Sequence, residues 1–401
     1  MKKFLVLVLS LILGLSMVSL VGCGETTNNA KTITVNVDGQ VATDGSEVNG
    51  VKTFKTIQGA IDYYKNESES AVKVINLKEG NYNEKISVPK EVKNLQLIGS
   101  STGVSKITYG DYAGMAKEGG GIIGTDLTAT ANVYGEGFVA KNVYFENSFD
   151  YFNPPAGVKD LQALAMYCRA DKVIFENCTF TGYQDTLEVV EGRQYFKNCT
   201  IKGCVDFIFG NNPSVLFDNC DIVNVKRNKS GDYITAMKGN NGTNGQGVAK
   251  YGLVFKNCRL TSEGGVNDES VALGRPWRAD ATVAWINCEM GSHIAKKAYG
   301  TGGCRYTAME GGTDENGNKI NNMPMNAFYA EYGNTGAGVV TENLYCKYTY
   351  RDANGKVIIA TGEKPDFTLL TKEQADLYTP ENIFATVNGG VTYVGEWNPC
   401  K

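Results

Sequence analysis

Residues 175–180 read FENCTF, residues 196–201 FKNCTI and residues 217–222 FDNCDI. Their cysteines, Cys178, Cys199 and Cys220, stand 21 and 21 residues apart. The phrase returns as FKNCRL at Cys258 and WINCEM at Cys288, and AKNVYF carries Val143 in the cysteine place. Each copy is short and alternates apolar with polar residues, as a strand does. A period near 20 in short strands predicts a solenoid, each turn covering the apolar face of the next. The strands have no hairpin partners and no long helices between them, so the chain reads as an all-β, single-domain parallel β-helix. Asn177, Asn198, Asn219, Asn257 and Asn287 are then expected to stack as a turn ladder. The cysteines stack inward, mostly as core filler, with one or two disulfides between neighbouring coils.

The ends carry helix signals. Phe54, Ile57, Ile61 and Tyr64 have helical spacing and predict a short amphipathic helix closing the first coil. Thr371 and Gln374 stand in capping-box relation and predict another short helix near the C-terminus. The Gly/Asn-rich stretches GNNGTNGQG and GGTDENGNKINN read as loops.

Composition narrows the function. With 42% hydrophobic and 20% charged residues the chain is globular, and 47 glycines against 9 prolines suit many tight turns. A net charge of -4 and the lack of a basic, aromatic-interleaved stretch argue against nucleic acid as a partner. The N-terminus, MKKFLVLVLSLILGLSMVSLVGC, has the layout of an export signal. It ends in Leu20-Val21-Gly22-Cys23, which resembles a bacterial lipobox. The expected organisation is a signal at 1–22, a lipidated tether at 23–31 beginning with Cys23, and a catalytic domain over 32–401. The product is an exported lipoprotein anchored at the cell surface or membrane, and a monomer; the competing reading of residues 4–21 is a transmembrane anchor.

Two aspartates stand out against this background. Asp185 lies in GYQDTL and Asp206 in VDFIFG, both among strand-forming apolar residues, where an unused carboxylate is costly. They are also 21 residues apart, hence equivalent in consecutive coils, about 4.8 Å from one another. Two carboxyls that close do not both ionise comfortably, so the pair offers one anion and one acid. Gln162 and Gln184 fall on the same face, where amides donate to a developing oxyanion. Arg275, in LGRPW, supplies a guanidinium that holds one carboxylate ionised. Trp277, Tyr183 and Phe207 offer flat faces that stack on sugar rings. A structural ion cluster with core aromatics is the alternative reading of the same residues.

GYQDTL, DFIFG and LGRPW, in that order, resemble the signature segments of the pectin methylesterases (pectinesterases). The likeness runs from TIQGAI near Ile57 to Trp397 and takes in LQALA at Gln162 and FYAEYGNTGAG from Phe328. It implies a right-handed parallel β-helix that hydrolyses the C6 methyl esters of pectin without metal or organic cofactor. It further implies Asp206 as nucleophile, Asp185 as acid/base, Gln162 and Gln184 as oxyanion donors, Arg275 as holder of the nucleophile and Trp277 as a substrate contact. Two segments depart from the family pattern. SHIAKKAYG lacks a Gly-Trp pair, and ITAMKG has Met237 and Lys238 where Gln and Gly are common.

Rival classes find less support. Gly99-Ser100-Ser101-Thr102-Gly103 fits G-x-S-x-G, but strand-like residues follow it, and the chain has a single histidine, His293. Gly119, Gly121 and Gly124 match a dinucleotide fingerprint with no helix after it. A β-helical depolymerase, acting as retaining glycosidase or lyase, and a non-catalytic carbohydrate-binding solenoid remain as alternatives to the esterase.

Overall fold

A computed structural model describes residues 31–227, 232–239, 251–313, 316–317, 319–346, 349–351, 357–359, 364–388 and 391–401. The export signal, Cys23 and most of the tether lie outside the described residues, as does most of the GNNGTNGQG segment.

The chain winds as a right-handed parallel β-helix. One eight-stranded sheet of parallel strands, from Gly80–Asn83 to Glu289–Met290, forms one face, and a continuous larger sheet wraps the others. The repeat phrase sets the register: Phe175 pairs with Phe196, Phe196 with Phe217, Phe217 with Phe255 and Phe255 with Trp285. These rings stack through the interior with centroids 4.7, 4.7, 4.5 and 4.0 Å apart. Each aromatic thus covers the one before it, which is how a solenoid without a central globular core buries its apolar surface.

The asparagine after each strand makes the corner. Asn142, Asn177, Asn198, Asn219, Asn257 and Asn287 all have φ between 53 and 56°, or 52° at Asn219, a left-handed conformation that asparagine tolerates best after glycine. Their amides form a ladder, Asn219 Nδ2 donating to Asn198 Oδ1 at 2.8 Å and Asn177 Nδ2 to Asn142 Oδ1 at 3.2 Å. At the next step Asn257 donates to Asp218 instead, at 3.3 Å. Behind the ladder Cys178, Cys199, Cys220, Cys258 and Cys288 are buried, and the expected disulfides between neighbouring coils are absent among the described residues. Cys178, Cys199, Cys220, Cys258 and Cys288 instead lie 3.3–3.5 Å from backbone carbonyls and fill space.

The first coil is closed by the helix Ile57–Tyr63, capped by the Thr56 side chain, with Ile57, Ala60 and Ile61 turned inward. The C-terminal helix is split into Lys372–Ala375, whose Thr371–Gln374 capping box is formed, and Pro380–Ile383. These pieces cover a flank and not an end. Tyr195, Leu216, Val254, Ala284 and Ala330 form an outward apolar row, and Tyr378, Ile383 and Phe384 pack over it. GGTDENGNKINN, expected as a loop, contributes to a hairpin of Met309–Thr313 with Lys319–Asn322. Gly317, at φ 78°, supplies the turn that the composition was read for, and the flanking residues pair across it.

Candidate active site

Strand register builds the site. Strand Leu187–Lys197 pairs with Val205–Asp218, Leu187 opposite Ile208, and the Asp185 amide donates to the Val205 carbonyl at 3.0 Å. Asp185 and Asp206 therefore stand at corresponding corners of consecutive coils. Both have a positive φ, 62° and 48°. Each thus repeats the asparagine device at the opposite corner and turns a carboxyl, in place of an amide, out of the sheet. The Ala163 amide donates to the Gln184 carbonyl at 3.1 Å, which brings Gln162 alongside Gln184 one coil back. Oε1 of Gln162 is buried and has no hydrogen-bond partner.

Arg275 reaches the pair from strand Val271–Asp280. Its Nε donates to Oδ1 of Asp206 at 2.8 Å and its Nη2 to Oδ2 at 2.5 Å. Tyr233, on the strand between, lies under the guanidinium with its ring centroid 4.0 Å away. Gly274 permits this approach: a Cβ there would lie 2.2 Å from Oγ1 of Thr235. The two carboxyls consequently differ. Asp206, buried, is locked to the Arg275 guanidinium through both oxygens. Burial, reinforced by the charges of Asp206 and Glu188, pushes the Asp185 carboxyl well above the usual range, and the opposing pull of Arg275 is smaller. One carboxyl is thus paired with a cation, and its neighbour is biased toward holding its proton.

The aromatics divide. Trp277 is half-buried, edge-on to Phe209 at 6.1 Å, with Lys238 Nζ 5.7 Å from its ring. Tyr183 stacks on Tyr151 at 5.7 Å and meets the exposed Phe152 at 5.0 Å, which forms an aromatic rim. Phe207 does not belong with them: it is fully buried in the coil interior. The left-handed corner at Asp206 and the register shift between Val205 and Ile208 break the alternation, so Phe209, two residues on, is the outward ring. Tyr233 and Glu188 also went unread; a charge-stacking tyrosine one strand away from its arginine has no local sequence signal. Met237 is buried, while Lys238 faces Trp277 at the groove edge.

The serine-esterase alternative lacks its geometry. Ser101, the central serine of that stretch, is exposed on a turn, and the cavity it borders, about 390 Å³, is lined by no histidine or carboxylate. His293 is buried, which lowers its pKa to about 4.

The fold and site thus define a parallel β-helix with a cation-held aspartate beside a second aspartate and two glutamines on one face. The pectinesterase family profile matches residues 38–356, and the chain belongs to that family. It is 31% identical over 306 residues to pectinesterase 5 of Arabidopsis thaliana, covering 75% of this chain, and 33% identical over 308 residues to a probable pectinesterase/pectinesterase inhibitor of the same plant, covering 76%. The chain spans 45% and 50% of the lengths of these two relatives. Among solved structures, a pectin methylesterase in complex with a hexasaccharide superposes with a TM-score of 0.71 at 31% identity, covering 94% of this chain and all of that one. The pectin methylesterase of Erwinia chrysanthemi gives 0.69 at 31%, covering 94% of this chain and 99% of its own.

Proposed function

We propose that the protein hydrolyses the methyl esters of methyl-esterified homogalacturonan, releasing methanol and leaving the polymer chain intact. The observation that carries this reading is the bidentate Arg275–Asp206 pair beside the proton-holding Asp185. Asp206 attacks the C6 ester carbonyl carbon, and the amides of Gln162 and Gln184 donate to the oxyanion that forms. Asp185 gives its proton to the departing methoxy oxygen, and methanol leaves an acyl-enzyme on Asp206. Asp185, now a base, takes a proton from water, which attacks the acyl carbon and frees the galacturonate and Asp206. Trp277 and Tyr183 flank the sugars.

The test is methanol release from highly methylated pectin followed together with viscosity. Methanol with unchanged viscosity supports the esterase. A fall in viscosity without methanol moves the site to a depolymerase, and polymer binding with neither makes it a binding solenoid.

From the N-terminal sequence we further propose a monomeric bacterial lipoprotein, exported and held at the cell surface or membrane through Cys23. Labelling of expressing cells with palmitate marks the parent and leaves Cys23→Ser unlabelled. A label on Cys23→Ser, or none on the parent, removes the anchor.

A further inference from the structure

Glu188 is the carboxylate that the reaction above does not use. It sits on strand Leu187–Lys197 three residues beyond Asp185, paired with Tyr167 on one side and Phe209 on the other. Leu187 and Val189 point into the coil, so Glu188 shares the outer face with Val190. That face is an apolar patch of Leu164, Tyr167, Val190, Phe209 and Ala236, bordered by Tyr134 and Trp277, which also borders the groove. Glu188 is only 3% exposed there, and its Oε2 has no hydrogen-bond partner. A buried, unanswered carboxyl oxygen is costly and needs an account. No hydrogen bond among the described residues supplies one.

We propose that Glu188 is a specificity-determining residue of the groove floor, its partnerless carboxyl hydrogen-bonding a uronyl oxygen beside the unit being hydrolysed and distinguishing an ester from a free carboxylate there. The proposal rests on the esterase reading above.

The charges facing Glu188 come from every side of the patch. Asp126 acts from the turn before the first patch strand, Tyr134 and Tyr167 carry hydroxyls nearby, and Asp185 lies on the same chain segment. Two cations oppose them, Arg169 and Lys238. Both are engaged elsewhere: Arg169 Nε donates to Glu191 at 3.0 Å, and Lys238 lies over Trp277. Burial therefore dominates, aided by Asp126, and pushes the Glu188 carboxyl up to about 8. Below that pH the group donates its O–H to either an ester carbonyl or a uronate oxygen. Above it the group is an anion with low-dielectric walls, and a neighbouring uronate is repelled while an ester is not. The polymer's own carboxylates are ionised throughout this range, so the switch belongs to the enzyme.

The experiment compares kcat/KM for methanol release from a fully methylated galacturonate hexamer and from a half-methylated one, at pH 6.5 and pH 9, with enzyme-free blanks subtracted. In the parent the ratio of the two rises about tenfold between these pH values. In Glu188→Gln, which keeps a donor but cannot ionise, it stays within about twofold. Changes in Asp185 ionisation affect both substrates and cancel in the ratio. Glu188→Leu, of similar bulk with no donor, raises KM about fivefold at pH 6.5 while Glu188→Gln does not. A ratio that rises equally in parent and Glu188→Gln overturns the proposal. So does a Glu188→Leu protein that melts higher with KM unchanged, since that is the behaviour of a merely structural carboxyl. If the parent releases no methanol from either hexamer, the esterase reading and this one fall together.

Discussion

Arg275 clamps both oxygens of Asp206, at 2.8 and 2.5 Å, from a strand two places further along the solenoid, and leaves Asp185 without a direct cationic partner. The asymmetry assigns the charges of two carboxyls that the repeat would otherwise make equivalent. Lysine at 275 keeps the charge but loses the planar fork. Arg275→Lys is therefore expected to lower kcat about a hundredfold with a smaller change in KM, measured by methanol release. An unchanged kcat would mean that a point charge suffices.

Asp185 carries the pH dependence. Its folded pKa is raised by burial and by Asp206, so between the unfolded pKa and the raised folded value the native chain holds a proton that the unfolded chain has lost. Stability contributed by this group falls as pH rises through that window. Asp185→Asn removes the titration and is expected to be inactive yet to melt at a higher temperature than the parent at pH 8, with the difference closing near pH 4. Calorimetry at the two pH values checks this, and a lower melting temperature at pH 8 would refute it.

The asparagine corners set a measurable local cost. Asn198 holds φ 53°, donates to Asn177 and accepts from Asn219. Asn198→Ala is expected to destabilise by about 2 kcal/mol, the left-handed backbone and the lost amide bonds contributing comparably. Asn198→Gly relieves the backbone part and loses about half as much. Denaturant midpoints for the two variants separate the contributions, and equal losses would assign the whole cost to the ladder.

Much of this was legible because the repeat is written in the sequence. The phrase F-x-N-C fixed the coil register, and the register alone brought Asp185 level with Asp206. The capping box at Thr371 was equally local. What failed to read were features set between coils. Phe207 reads as a groove ring because it stands next to Asp206 in the sequence, whereas the corner at Asp206 and the register shift after it leave Phe207 and Ile208 both inward and bring Phe209 to the outer face. The free cysteines were read partly as disulfides because an exported chain permits them, whereas stacked thiols at equivalent places point the same way and not at one another. Tyr233 and Glu188 depend on neighbours 42 and 21 residues away on adjoining coils, and no local pattern announces them.

A fully buried ion pair that the chemistry does not use lies beside the strand that carries Arg275. Arg305 is fully buried and donates to Glu331 from Nε and Nη2, each at 2.6 Å, while Tyr306 donates to the same carboxylate at 3.0 Å. Arg305→Met leaves Glu331 buried without its cation and is expected to cost about 3–5 kcal/mol. Adding Glu331→Leu recovers part of that loss, so the double variant is more stable than the sum of the single ones. Additive losses in the cycle would show that the two side chains are not coupled.

The central claim is that Asp206 forms the bond to substrate. Its most direct test is methanol release by Asp206→Asn, an isosteric change that keeps one of the two hydrogen bonds from Arg275, on highly methylated pectin, alongside circular dichroism to establish the fold. The account predicts a folded protein whose kcat falls about a thousandfold or more. A folded variant retaining kcat within about tenfold of the parent would contradict it and move the nucleophile elsewhere in the groove.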